Sequence, residues 1–144
     1  MVEIISYKFE ESPDLAELSK EIRQKVFVEE QNVDPQLEYD EFEDISTHYL
    51  LFKDTAPVAT ARWRHTEKGI KLERFATLVE YRNRGLGAIM LKRILDDVIP
   101  LRKRIYLNSQ LKAIPFYSRH GFNKIGEQFT EAEIEHFEME RGIE

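Results

Sequence analysis

The chain has 144 residues, 27 acidic against 21 basic side chains, a net charge of -6 and no cysteine. That length suits one domain with a continuous core, and the missing cysteines exclude disulfides, thiolate metal ligands and a cysteine nucleophile. The acidic balance argues against a nucleic-acid binder working through bulk phosphate attraction, and no apolar run approaches the roughly 18 residues that a membrane span needs.

The N-terminal MVEIISYKFEES alternates and then turns polar, without the basic start and apolar centre of a signal peptide. One soluble cytoplasmic domain over residues 1–144 is expected. VEIISYKF (2–9) predicts a first strand. Ser12, Pro13 and Asp14 then open a helix with a capping hydroxyl, a first-turn proline and an acid on the dipole, and Leu15, Leu18, Ile22 and Val26 give it one apolar face. Residues 29–46, EEQNVDPQLEYDEFEDIS, hold eight acids without a clear period and predict a long irregular loop. THYLLFK (47–53) and VATARWRH (58–65) predict a hairpin, and GIKLERFATLV (69–79) the next strand.

After that strand comes YRNRGLGAIMLKRIL (81–95), in which a two-glycine turn runs into a helix carrying Leu86, Met90, Ile94 and Val98 on one side. Free amides at a helix start, the macrodipole, and Arg82 and Arg84 make such a turn suitable for a pyrophosphate. It lacks the Gly-Lys-Ser/Thr ending of a phosphate-binding Walker loop and is one glycine short of GxGxxG. The turn alone is equally compatible with a tight strand-to-helix connection. RIYLN (104–108), the short helix AIPFYSRH stopped by Gly121, FNKIGEQF and IEHFEME complete the order. The elements run βα, ββ, βαβα, ββ: an α/β fold with a mixed, mostly antiparallel sheet and one right-handed crossover.

The run LERFATLVEYRNRGLGAIMLKRIL resembles the acyl-CoA-binding motif of the GNAT N-acetyltransferase superfamily, Gln/Arg-x-x-Gly-x-Gly/Ala, with Arg82, Gly85 and Gly87 in place. A second run, LNSQLKAIPFYSRHGF (107–122), is similar to that family's strand, short helix and Phe-Tyr-x-x-x-Gly-Phe segment. The resemblance implies a central sheet with helices on both faces, acetyl-CoA as cosubstrate, an amine acceptor and no metal. It places Phe75 and Thr77 along the pantetheine arm. Arg82, Asn83, Arg84, Gly85, Leu86, Gly87 and Ala88 would wrap the pyrophosphate, and Asn108 would bond the pantetheine amides. It also makes Tyr117 the proton donor to the departing thiolate.

Freeing an amine lone pair at pH 7 costs roughly 4.6 kcal/mol for a lysine-like pKa of about 10.4, so a proton acceptor is needed. Glu73 is the candidate, because period 2 puts it on the same side as Phe75 and Thr77; a strand acid paired with Arg62 or Lys71 is the competing reading. For the acceptor, the loop acids Glu38, Asp40, Glu43 and Asp44, with His48 and Arg62 on facing strands, suit a cationic amine. IRQKVFVEEQ, LEYDEFED and HYLL also resemble the N-terminal part of N-acyl-homoserine-lactone synthases, through Arg23, Phe27, Glu38, Asp40 and Asp44. That reading, and a non-catalytic acyl-CoA-sensing domain, stand as alternatives. The acceptor's identity and the presence of a homodimer are left open.

Overall fold

The computed structural model describes residues 1–142 and builds them around one seven-stranded sheet in the order β1-β2-β3-β4-β5-β7-β6. The strands are β1 Val2–Tyr7, β2 Thr47–Lys53, β3 Ala56–Thr66, β4 Gly69–Thr77, β5 Ile105–Gln110, β6 Asn123–Glu131 and β7 Ile134–Arg141. The helices are α1 Pro13–Arg23, α2 Pro35–Glu38, α3 Leu86–Val98 and α4 Ile114–Arg119. Every strand pairing is antiparallel except β4 with β5. A parallel pair needs a crossover, and α3 supplies it. No helix among the described residues is long and apolar enough to cross a membrane.

Helices cover both faces, as expected. On one face α3 buries Leu86, Met90, Ile94 and Val98 against Leu51, Val58, Ile70, Leu72, Ile105 and Leu107. Each such side chain contributes about 1.5–3 kcal/mol of burial, so the 3.6-residue spacing of α3 anchors the turn that precedes it. On the other face Ala16 and Ile22 of α1, with Val26, Phe27 and Val33 beyond it, pack on Tyr7, Leu50 and Ala76.

Residues 29–46 are more ordered than the sequence pattern predicts. α1 continues into a π-helical turn over Gln24–Glu30, and Asp34 accepts the Gln36 amide at 2.9 Å to cap α2. The acids obscured this order because ion pairs, and no apolar period, hold the segment in place. Ser12, read as a capping hydroxyl, makes no side-chain bond to α1.

Two irregularities position the site. Arg62 pairs with Glu73 and Thr60 with Ala76, so the single residue Ala61 of β3 faces both Arg74 and Phe75 of β4. The extra residue is a β-bulge with Arg74 at φ 59°, and it reverses the alternation of faces: Ile70 and Leu72 point to the α3 core, whereas Ala76 points to the α1 core. The second irregularity is the short β4–β5 ladder, which runs only from Ile70 opposite Ile105 to Leu72 opposite Leu107. β5 stays paired to β7 as far as Gln110 opposite His136, so beyond Leu72 the two parallel strands diverge.

Candidate functional site

The divergence of β4 and β5 opens a cavity of about 440 Å³, lined among others by Leu72, Phe75, Leu107, Asn108 and Tyr117 and by Asp40, Phe42, Arg64, Lys71 and Glu73. Tyr117 is only 8% exposed. Its ring packs edge-on against Phe75 (5.9 Å between centroids), Phe116 (5.1 Å) and Phe122 (5.9 Å). The fixed ring carries a hydroxyl that finds no hydrogen-bond partner among the described residues, and burial pushes its pKa above the usual tyrosine range. The phenol therefore holds its proton at neutral pH.

At the glycine turn, Gly85 sits at φ 79° as the cap of α3, and a Cβ there would meet nothing within 4 Å. Its need for glycine is conformational. The first backbone bond into α3 runs from the Ile89 amide to the Gly85 carbonyl at 3.2 Å, which leaves the preceding amides of Leu86, Gly87 and Ala88 open at the helix start. A Cβ on Gly87 would lie 3.6 Å from the Phe116 ring, an ordinary contact, so only a side chain larger than a methyl would press on the ring that packs on Tyr117. Arg82 departs from the expected role of phosphate ligand: both its terminal nitrogens bond Glu30 (2.6 and 2.7 Å), and its Nε donates to the Thr77 carbonyl at 2.8 Å. It ties the turn to β4. Arg84 lies over the Tyr81 ring at 5.3 Å and, with Asn83, is exposed at the turn, whereas Leu86 is a core residue.

Asn108 Nδ2 donates to Glu131 Oε1 at 3.3 Å beside the cavity. Phe75 and Thr77 follow the bulge, and Phe75 packs with the Tyr117 cluster. Glu73 does not share their side, because the bulge breaks the period that placed it there. Arg62 (2.9 Å), Arg64 (2.8 Å) and Lys71 (3.2 Å) surround its carboxylate. Burial alone would raise its pKa, but these cations outweigh burial and draw it down to about 2. Such a carboxylate is a weak base.

The residues expected at the acceptor end separate in the same way. Arg23 and Arg62 are fully buried behind the cavity: Arg23 bonds Glu38 (2.6 Å) and Glu43 (2.7 Å), and Arg62 bonds Asp40 (2.8 Å), Glu43 (3.0 Å) and Glu73. His48 is also behind the wall, stacked on Phe9 at 4.0 Å with Nε2 2.7 Å from the Glu43 carbonyl, and burial lowers its pKa to about 4. Asp44 is exposed and lies outside the cavity lining. Of that set Glu38 and Asp40 are on the cavity wall, and although burial opposes it, Arg62 draws the Asp40 carboxyl to about 2. Arg64 and Arg74 were missed. Strand alternation in ARWRH could have put Arg64 beside Arg62, but nothing local announces that Arg74 occupies a bulge and reaches the Leu37 and Glu38 carbonyls at 3.2 and 3.3 Å.

Comparison with known proteins agrees with this geometry. The family described as "Acetyltransferase (GNAT) domain" matches residues 11–142. The uncharacterized N-acetyltransferase YjcF of Bacillus subtilis (strain 168) is 37% identical over 120 residues, 82% of this chain and 86% of that one. The crystal structure of Escherichia coli ElaA superposes with a TM-score of 0.88 at 25% identity, covering 99% and 100% of the two chains. An acyl-CoA N-acyltransferase from Pseudomonas aeruginosa gives a TM-score of 0.86 at 24% identity over 99% and 100%, a likeness of fold. The chain belongs to the GNAT acetyltransferase family.

Proposed function

We propose that this GNAT domain is an acetyl-CoA-dependent N-acetyltransferase that moves acetyl directly to a primary amine in a ternary complex. The observation that carries the reading is the wedge between β4 and β5, whose unpaired strand edges lead to the unpartnered hydroxyl of Tyr117. An extended pantetheine arm bearing two amides can pair with the free edge of β4 beyond the bulge as an added strand would. Its pyrophosphate then reaches the open amides of Leu86, Gly87 and Ala88, where the helix dipole favours an anion. Asn108 is placed to exchange its bond to Glu131 for one to the arm.

In the step itself the amine nitrogen attacks the thioester carbonyl carbon, the C–N bond forms and the C–S bond breaks. The sulfur leaves as a thiolate that accepts a hydrogen bond from the Tyr117 hydroxyl and is then protonated from solvent. The nitrogen's surplus proton passes to water, because Glu73 is too acidic to hold it; Glu73 instead orients groups at the acceptor end. With no cysteine to carry acetyl, no thioester enzyme intermediate forms.

The test is a panel of primary amines assayed for free-thiol release from acetyl-CoA, paired with calorimetry of CoA binding. Release that depends on amine, with CoA bound by the free protein, is the expected result. Tight CoA binding with no release from any amine would overturn turnover in favour of an acyl-CoA-sensing domain.

A further inference from the structure

Five cations and four carboxylates meet at and behind the acceptor wall, and their distribution differs from the negative loop that the sequence implies. Each carboxylate has both oxygens engaged. Glu38 is held by Arg23 and Arg74, Asp40 and Glu43 by Arg62 with Arg74 and Arg23, and Glu73 by Arg62, Arg64 and Lys71. Arg23 and Arg62, completely buried, have all their nitrogens committed to these partners.

The remaining cations are the ones that reach the cavity. Side chains of Arg64, Lys71 and Arg74 are 13%, 18% and 21% exposed and all three line it. Nη1 of Arg64 has no acceptor among the described residues, and the Lys71 ammonium has a single carboxylate, 3.2 Å away, for its three donors. Phe42 lies under the Arg64 guanidinium at 3.7 Å and holds it flat before any ligand arrives. The lining is balanced in charge, with Arg64, Lys71, Arg74 and Lys112 against Glu38, Asp40, Glu73 and Glu131, but the acceptor-end carboxylates are already engaged while Arg64 and Lys71 keep free donors. Beside them the lining is apolar, with Phe27, Val33 and Leu37.

A purely cationic amine would find the wall's carboxylates already paired, whereas a carboxylate would use the free donors. We propose that the acceptor is an apolar amine that carries its own carboxylate, seated on Arg64 and Lys71 with its amine directed to the wedge. This rests on the amine-acetyltransferase reading and narrows it.

The experiment compares acetyl-CoA-dependent thiol release with L-leucine and L-phenylalanine against leucinamide and phenylalaninamide, which keep the amine and side chain and lose the carboxylate. Rates are expressed per unprotonated amine. The acids should exceed the amides by about 10-fold or more in kcat/KM, the size of one charge-assisted bond, and in Lys71→Met that ratio should approach one. Amides equal to or better than acids, or a ratio that Lys71→Met leaves in place, would overturn the proposal while leaving amine acetylation standing. If none of the four releases thiol, calorimetric titration of L-leucine and leucinamide into the CoA-saturated protein decides. Binding of the acid alone, lost in Lys71→Met, supports the carboxylate seat, and absence of acid binding ends it.

Discussion

Tyr117 joins a ring that three phenylalanines hold in place to a hydroxyl that nothing in the described chain satisfies. A departing thiol has an ordinary pKa near 8.5, below even an unburied phenol near 10, so full proton transfer from Tyr117 is uphill. Its effect is therefore mainly a hydrogen bond to charge developing on sulfur in a dry site. Tyr117→Phe keeps the packing and removes that bond. kcat should fall about 10²-fold with CoA affinity and thermal midpoint unchanged, as steady-state kinetics and a melting curve on one preparation will show. Full activity in the variant would remove Tyr117 from the mechanism.

Between β4 and α3, two glycines that look alike in RNRGLG do different things. Gly85 is at φ 79° with open space around it, so Gly85→Ala meets strain and no clash. It should destabilise the fold by about 1 kcal/mol, readable in urea unfolding, with CoA binding retained at low temperature. Gly87 faces Phe116, and the branches of a valine would press on that ring from 3.6 Å. Gly87→Val should weaken CoA binding by calorimetry and lower kcat through the displaced Phe116 and Tyr117 pair, in a protein that still folds. Unchanged affinity and kcat would reduce the turn to a connector. The bulge of β4 works over the same short range: by turning Phe75 toward Tyr117 while Glu73 stays with Arg62, it separates donor chemistry from acceptor chemistry within three residues.

Over the whole molecule, the buried ion network joins α1, the 35–43 segment, β3 and β4 into one wall. Arg62 is its centre, and Arg62→Met would leave Asp40, Glu43 and Glu73 crowded without their shared cation. A loss of about 3–5 kcal/mol in unfolding free energy is expected. Acid should act on the same wall in two stages. The His48 pKa falls from 6.5 unfolded to about 4 folded, so its neutral ring favours the native state fully above 6.5 and progressively less as pH drops toward 4. That depression corresponds to about 3 kcal/mol. Asp40 and Glu73, both drawn to about 2, stabilise above the usual carboxylate range and lose that contribution as pH falls from about 4 to 2. Thermal midpoints measured from pH 7 to 4 should decline in the wild type, and the decline should flatten in His48→Gln. A slope unaltered by that substitution would assign the early acid sensitivity elsewhere.

The helix α3, its glycine turn and the succession of elements along the chain were readable because each rests on a local pattern: Leu86, Met90, Ile94 and Val98 repeat at helical spacing, and Gly85 precedes them where a cap must bend left-handed. The motif in IPFYSRHGF marked Tyr117 through resemblance, and the structure puts that residue on the cavity lining. Arg74 carries no such mark, since an arginine at φ 59° is held there by carbonyls of residues 37 and 38 that lie far away in sequence. Period 2 therefore misplaced Glu73 relative to Phe75. The acidic run 29–46 likewise gave its charge but not its partners. Whether eight acids make an open negative surface or a neutralised wall depends on Arg23, Arg62 and Arg74 meeting them in space, and Coulomb energy at ion-pair distance exists only once the fold has brought these groups together.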